Sequence, residues 1–245
     1  MQRIAKRIAE SGEASRREAE KLIEQGRVTV NGQLVLSPVF FVEDSQVVSI
    51  DGKAIGREEN LLIWKMNKPR GYLTTKRDPQ SRKTVFELLP KIPHRMIYIG
   101  RLDFNSEGLL LFTNSGKFAR YLELPSTGVQ RKYKVRFHGS LTEENIRALR
   151  KGVTIDGFRY GPIDVKLERA VGSNSWAIFT LNEGKNREIR KVLEYFHCEV
   201  TRLIRINYGS ISLGELKLGE VQELSPEELK SFVKNTKFSD SGTLQ

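Results

Sequence analysis

One aspartate stands out because of its surroundings. Asp103 lies in the stretch GRLDFNSEGLLLFTN, between an arginine-bearing turn and a run of leucines that has to be buried. A carboxylate in a partly dehydrated place needs a cation beside it, because burial disfavours its charged form. The sequence therefore allows two interpretations: Asp103 belongs to a structural ion pair, or it acts chemically on a substrate.

The segment QRKYKVRFHG combines one aromatic side chain with several basic ones. Alternate residues of a strand face opposite sides, so Tyr133 shares a face with Val135 and Phe137. The other face carries Lys132, Lys134, Arg136 and His138. An aromatic ring beside cations can stack on a nucleobase while its neighbours hold phosphates. A core tyrosine in an amphipathic strand is the alternative.

Two cations stand at the start of a predicted helix. Residues 186–197 have the apolar spacing of a helix, and Lys185 and Arg187 lie at its beginning. The start of a helix carries partial positive charge and disfavours cations. Their position therefore predicts an anion nearby, and both Asp103 and an RNA phosphate fit.

Positive charge is concentrated around Asp103. The chain has a net charge of +11, and residues 61–140 hold 16 Lys and Arg against 5 Asp and Glu. A loop broken by proline and glycine, residues 67–90, carries several of these cations, among them Arg70, Lys76, Arg77, Arg82 and Lys83. Such a surface suits phosphates, which supply the sequence-independent part of nucleic-acid affinity. A solvated basic face is the alternative.

Composition limits the other classes of function. The one cysteine, Cys198, has no partner for a disulfide within the chain, and the three histidines are scattered, so we expect no metal. No apolar run is long enough to cross a bilayer. The N-terminus lacks the apolar core of a secretory signal. These features predict a cytoplasmic protein without membrane association.

The elements that must position these residues follow an α+β pattern. Residues 61–234 are rich in strand-like segments, with helices near 142–151 and 186–197, and lack the regular strand–helix alternation of a doubly wound fold. We expect a mixed, mainly antiparallel sheet with flanking helices. A last helix opens at Ser225, and residues 235–245 are expected to be a disordered tail.

Residues 1–60 predict a smaller unit of two helices and two hairpins. The first helix has an apolar face formed by Ile4, Ile8 and Ala9. Ser15 and Glu18 form a capping-box pattern that opens the second, from Arg16 to Gln25. The hairpins turn at two dipeptides that favour tight turns: Asn31-Gly32 and Asp51-Gly52. The basic helical side chains either hold RNA phosphates or are surface charges balanced by glutamates.

Within this unit, RIAKRIAESGEASRREAEKLIEQGRVTVNGQLV resembles the RNA-binding domain named after small-subunit ribosomal protein S4. The resemblance implies that residues 1–60 dock on structured RNA. It assigns the contacts to four basic side chains: Arg16, Arg17, Lys21 and Arg27.

The chain as far as about Leu224 resembles the RsuA/RluB-type family of bacterial pseudouridine synthases. The family's GRLD..T.GLLL.TNDG motif begins at Gly100, and Ser106 and Ser115 replace a common Thr and Asp. Four other segments are similar to the family's remaining motifs: KPRG at 68–71, KYKV at 132–135, GKNREIRK at 184–191 and IRINYGSISLGELKLGE at 204–220.

This resemblance implies that a uridine in RNA is isomerised to pseudouridine without a cofactor. It makes Asp103 the nucleophile, attacking either ribose C1′ or the base, and Arg190 the cation that keeps Asp103 ionised, with Lys185 as second choice. Tyr133 would stack on the flipped-out base and help to remove its C5 proton. Arg101 would occupy the space that the flipped base vacates or bind a phosphate, and Ile189 would form the apolar floor of the pocket. The other implied substrate or RNA contacts are Lys68, Arg70, Lys185 and Arg187.

The implied partner is ribosomal RNA or a pre-ribosomal particle, bound by a monomer. The loop 75–90 resembles that of family members acting on the large subunit, which favours 23S rRNA, and 16S rRNA is the alternative. A non-catalytic RNA-binding ribosome-assembly factor is the competing class. It is disfavoured because Asp103, Tyr133 and Arg190 are all present.

Overall fold

The computed structural model describes residues 1–56, 60–92 and 95–238. The chain forms two compact units, of which the first contains Met1–Leu62, Lys91–Ile97 and Thr113–Gly116 and the second contains the remainder. The domain boundaries at residues 60 and 234 remain a prediction. The first unit contains these elements: α1 (Ile4–Glu10), α2 (Arg16–Glu24), β1 (Gln2–Arg3), β2 (Val28–Val30), β3 (Gln33–Leu34), β4 (Phe41–Val42), β5 (Val48–Ile50) and β6 (Lys53–Ala54).

Local sequence signals account for the first unit. Helix α2 begins with the predicted capping box, in which the Ser15 hydroxyl accepts from the Glu18 amide and the Glu18 carboxylate accepts from the Ser15 amide. The β2–β3 and β5–β6 hairpins turn through residues with positive φ at Asn31-Gly32 and Asp51-Gly52. The buried face of α1 consists of Ile4, Ala5 and Ile8, so Ala5 takes the place predicted for Ala9.

The rest of the chain builds a large sheet with helices beside it. Its helices are α3 (Gly116–Glu123), α4 (Glu143–Lys151), α5 (Glu188–Tyr195) and α6 (Pro226–Thr236), with 3₁₀ turns at Val85–Leu88 and Pro125–Thr127. Its strands are β7 (Ile63–Lys68), β8 (Ile97–Ile99), β9 (Glu107–Thr113), β10 (Arg131–His138), β11 (Val153–Ile155), β12 (Phe158–Tyr160), β13 (Ile163–Val171), β14 (Asn174–Leu181), β15 (Glu199–Tyr208), β16 (Ile211–Ser212) and β17 (Val221–Glu223).

The sheet order is β13-β14-β10-β15-β9-β7-β17, with β16 beside β15 and β8 beside β9. Strand β10 is antiparallel to both of its neighbours, β14 and β15, and β15 pairs in parallel with β9. The predicted mixed, mainly antiparallel α+β fold is therefore confirmed. Gly108 makes the parallel pair possible, because a Cβ at this position would lie 2.3 Å from the carbonyl oxygen of Arg205.

Helices α4 and α5 cover part of the sheet. Helix α4 has the predicted N-cap, Thr142, and its predicted end at Gly152. Helix α5 buries Ile189, Val192 and Leu193 in one core with β10, β13 and β14. Strand β10 buries Val135 and Phe137 there, which agrees with the predicted alternation. This core fixes the strand and the helix that carry Tyr133 and Arg190.

The C-terminal segment is more ordered than predicted. The predicted Ser225 capping box opens α6, which continues to Thr236, and the ring of Phe238 packs edge-on against Phe118 at 4.8 Å. The predicted disorder is therefore wrong for residues 235–238, because this packing gives them an apolar partner. Residues 239–245 lie outside the described part. Within the described ranges no helix is long and apolar enough to span a bilayer.

Candidate active site

A cleft of about 1070 Å³ opens in the second unit at the turn that carries Asp103. Its lining includes the loop from Leu73 to Arg82, the Gly100–Ser106 turn, parts of strands β10 and β15, and the segment leading into α5. The cleft therefore brings together the three segments that the sequence singled out for chemistry.

Asp103 lies between two arginines of the α5 segment. Its Oδ2 is 3.8 Å from Arg187 Nη1 and 4.0 Å from Arg190 Nε, and its side chain is 33% exposed. The Arg190 side chain is 14% exposed, and it donates to the carbonyl oxygens of Val200 at 3.2 Å and Asn105 at 3.3 Å. Arg190 is thus held in place, whereas Arg187 is half exposed.

Charge around Arg190 is unusually dense. Burial, and then the neighbouring charge of Arg187, lower the pKa of the Arg190 guanidinium, while Asp103 raises it. Arg70, which is exposed, lowers that pKa further. Asp103 is therefore the anion that offsets a group of cations, as the position of Arg187 at the start of α5 predicted.

A buried lysine holds the backbone of the Asp103 turn. Lys68 is 0% exposed, and its Nζ donates to the carbonyl oxygens of Pro69, Asp103 and Ser106 at 3.0, 3.1 and 2.9 Å. Burial lowers the pKa of Lys68 to about 8. The RNA contact predicted for Lys68 is wrong, because the side chain is buried and its Nζ is engaged by three backbone carbonyl groups.

Tyr133 reaches the cleft from strand β10. It lies opposite Arg205 of β15, where the register between the two strands shifts because β15 carries one extra residue, Ile206. Tyr133 is half-buried, packs on the core and lines the cleft. It therefore presents an aromatic ring to the same space as Asp103.

Sequence reasoning missed a stack of two buried arginines on a tyrosine that also lines the cleft. The guanidinium groups of Arg131 and Arg205 lie 4.9 and 5.1 Å from the ring centre of Tyr208. Arg131 donates to the Tyr208 hydroxyl and to the carbonyl oxygens of Leu122 and Asn182, and Arg205 Nε donates to Leu109 O. The alternation of residues along β10 could have indicated this cluster, because it places Arg131 on the same face as Tyr133.

Lys185, the second choice as partner of Asp103, is engaged elsewhere. Its Nζ donates to both oxygens of Glu183 and to the carbonyl oxygen of Arg159. The amide of Lys185 donates to Oε2 of the buried Glu188 at 2.9 Å. Burial, and then the neighbouring Glu183, raise the pKa of Glu188 to about 8, which favours its protonated form near neutral pH.

Replacing Glu188 with Gln should flatten the pH dependence of stability. Between the ordinary glutamate pKa of 4.5 and about 8, the folded chain holds a proton that the unfolded chain has lost, so unfolding free energy falls as pH rises. Glutamine has nearly the same shape as a protonated glutamate but has no proton that titrates in this range. Melting curves from pH 5 to 8 test this, with Glu194→Gln, an exposed residue of the same helix, as control. Equal slopes in wild type and Glu188→Gln would contradict it.

The other predicted contacts are placed as follows. Arg101 is exposed and Ile189 is buried, and both line the cleft. In the loop at its rim, Asp78 accepts from the Arg82 side chain and from the Gln80 and Arg82 amides, which orders the loop and lowers the pKa of Asp78 to about 2. Among the described residues, no three His, Cys, Asp or Glu side chains form a metal-binding group.

The first unit exposes Arg16, Arg17 and Lys21 on α2. Arg27 is also exposed, and it forms two hydrogen bonds with the carboxylate of Asp51, which lowers the pKa of Asp51. The three helical cations are therefore open to a ligand, whereas Arg27 already has an anionic partner.

Comparison with known proteins agrees with this arrangement. The sequence model of the RNA pseudouridylate synthase family matches residues 63–195, and that of the S4 domain matches residues 2–48. The chain therefore belongs to the RNA pseudouridylate synthase family, in its RsuA/RluB-type branch with an S4 domain, and is an isomerase.

Individual relatives cover nearly the whole chain. An uncharacterized RNA pseudouridine synthase of Rickettsia typhi is 46% identical, over 96% of each chain. The ribosomal large subunit pseudouridine synthase B of Vibrio cholerae is 42% identical, over 86% of this chain and 68% of its own length. A crystal structure of a pseudouridylate synthase, 24% identical, aligns over 96% of this chain and 100% of its own, with a TM-score of 0.66. This last likeness concerns the fold alone.

Proposed function

We propose that this pseudouridine synthase acts on one uridine of 23S ribosomal RNA, with Asp103 as its nucleophile. The single observation that carries the assignment of Asp103 as nucleophile is its position in the cleft, with its Oδ2 within 4.0 Å of two arginines. A carboxylate that faces cations and solvent space can stay ionised and attack a substrate.

The reaction needs few groups. The bond from N1 to ribose C1′ breaks, a bond from C1′ to C5 forms, and the proton of C5 is lost while N1 gains one, so that the product is an isomer. Asp103 attacks either C1′ or the base and later leaves. Tyr133, which lines the cleft from β10, stacks on the base and helps to move the C5 proton. Ile189 forms an apolar wall.

A stacked base cannot reach Asp103, so the target nucleotide has to leave its stack. Flipping costs about a few kcal/mol, and less for an unpaired nucleotide. Arg101, exposed beside Asp103, would fill the vacated space or hold a phosphate, and Arg70 and Arg187 add cations at the same place. The substrate is therefore an unpaired or weakly paired uridine in structured RNA.

Two features favour the large ribosomal subunit. The Vibrio cholerae relative is named as a large-subunit enzyme, and loop 75–90 resembles the large-subunit members of the family. The exposed cations of α2, Arg16, Arg17 and Lys21, would dock on the same RNA. The chain would act as a monomer on ribosomal RNA or an assembling particle.

Mapping pseudouridine in transcripts tests this function. Purified protein is incubated separately with 23S and 16S rRNA transcripts, and Asp103→Asn serves as the inactive control. We expect one new pseudouridine, in 23S rRNA. Modification of 16S rRNA alone would overturn the assignment to the large subunit, and binding without any modification would favour an assembly factor.

Removal of Arg190 should lower turnover strongly. Arg190→Met takes away an anchored cation that lies 4.0 Å from the proposed nucleophile, so the RNA should still bind while little pseudouridine forms. Arg190→Lys should retain part of the activity, because it keeps the charge but loses the planar donor geometry. Arg187→Met should lose less activity, because Arg187 is 51% exposed. Turnover of Arg190→Met equal to that of the wild type would show that the reaction does not need Arg190 beside Asp103.

A further inference from the structure

The turn that holds Asp103 also presents a large apolar ring to solvent. Phe104 is 43% exposed and lines the cleft. Within the described part of the chain, it is the one large hydrophobic side chain left exposed that lines this cleft. Burying such a ring is favourable, so an exposed ring at the edge of a binding cleft suggests a ligand that covers it.

The backbone beneath the ring is fixed on both sides. The carbonyl oxygen of Phe104 accepts from the Gly71 amide at 2.9 Å, and that of Asp103 accepts from Lys68 Nζ at 3.1 Å and from the Ser106 amide at 3.0 Å. The ring is therefore exposed although its turn is firmly anchored. A fixed ring gives a stacking partner at little cost in conformational entropy.

The charge around this ring selects the class of ligand. Arg187 and Arg190 lie 3.8 and 4.0 Å from the carboxylate of Asp103, so two cations flank the residue next to Phe104. An aromatic ring among cations suits single-stranded nucleic acid, whose bases stack while its phosphates pair. An apolar protein segment would leave these cations without an anionic partner.

We infer that Phe104 is a stacking platform for a nucleobase that flanks the target uridine. This inference rests on the proposed function and adds a second stacking site to that of Tyr133. The target enters the cleft between Asp103 and Tyr133, and its neighbour covers the ring of Phe104 at the rim. Because every base has a π face, the contact tolerates different neighbours.

A fluorescent single strand tests the inference without requiring turnover. The probe is an oligouridylate of about 12 nucleotides that carries one 2-aminopurine, whose fluorescence falls on stacking. Binding is followed by anisotropy and stacking by quenching. Phe104→Ala should bind about 10-fold more weakly and lose the quenching, Phe104→Tyr should retain both, and Phe104→Leu should lose the quenching.

Phe158→Ala is the matched control, because Phe158 is 71% exposed and does not line the cleft. It should bind and quench like the wild type, and all variants should melt alike. Wild-type protein that does not bind or quench the probe, or a Phe104→Ala variant that behaves as wild type, would overturn the inference. Binding with quenching by a protein that modifies no transcript would instead overturn the proposed function.

Discussion

The Asp103→Asn variant should form pseudouridine at least about a thousandfold more slowly than the wild type, because it lacks the nucleophile. Its affinity for ribosomal RNA should change by less than about twofold, since one carboxylate is removed from a strongly basic surface. The fold should be intact, because the turn is held through the Asp103 carbonyl group rather than its side chain.

Asp164→Asn provides the control for this comparison. Asp164 pairs with Arg150 at 3.0 Å, its side chain is 64% exposed, and it does not line the cleft. This change removes the same charge from the same unit and should leave turnover unaltered. Near wild-type turnover in Asp103→Asn would show that another group is the nucleophile.

The second large effect is expected in stability. Lys68→Met removes a buried cation that serves three carbonyl groups. Leaving such acceptors without a donor should lower the free energy of unfolding by about 3 kcal/mol. Denaturant unfolding measures this. Lys65→Met, on the same strand, removes one ion pair with the more exposed Glu228 and should cost about 1 kcal/mol or less. Equal losses in the two variants would contradict the anchoring role.

The same lysine predicts a pH signature. Because burial lowers its pKa from 10.5 to about 8, the folded chain releases this proton at lower pH than the unfolded chain does. Between these values the unfolded state binds more protons, so the contribution of Lys68 to stability increases with pH. Lys68→Met should lack this increase. The same slope in both proteins would mean that Lys68 is not the titrating group.

Local patterns predicted the framework well. The capping boxes at Ser15 and Ser225, the cap at Thr142 and the alternation along β10 depend on neighbours in sequence, and the structure has all of them. The segments around Asp103 and Tyr133 were found through motifs, and they do line one cleft. Their chemical roles remain proposals.

Contacts between distant segments were harder to predict. Lys68 ends strand β7 and precedes a proline–glycine loop, a position typical of solvated cations, yet it is buried against the carbonyl groups of a turn far along the chain. The charge of Glu188 likewise depends on Glu183 and on burial rather than on helix position. Sequence pattern identifies such residues as charged and does not show which partners the fold supplies.

The parallel pairing of β9 with β15 also constrains biosynthesis. Arg205 and Leu109, which meet across this pair, are 96 positions apart. Contacts of such long range form late in folding. A nascent chain that has emerged only as far as β14 contains Asp103 and Tyr133, but it lacks β15 and the arginines of α5. A truncated translation product should therefore be unable to modify RNA, although it keeps the exposed cations of α2, so that modifying activity arises only in chains translated nearly to their end.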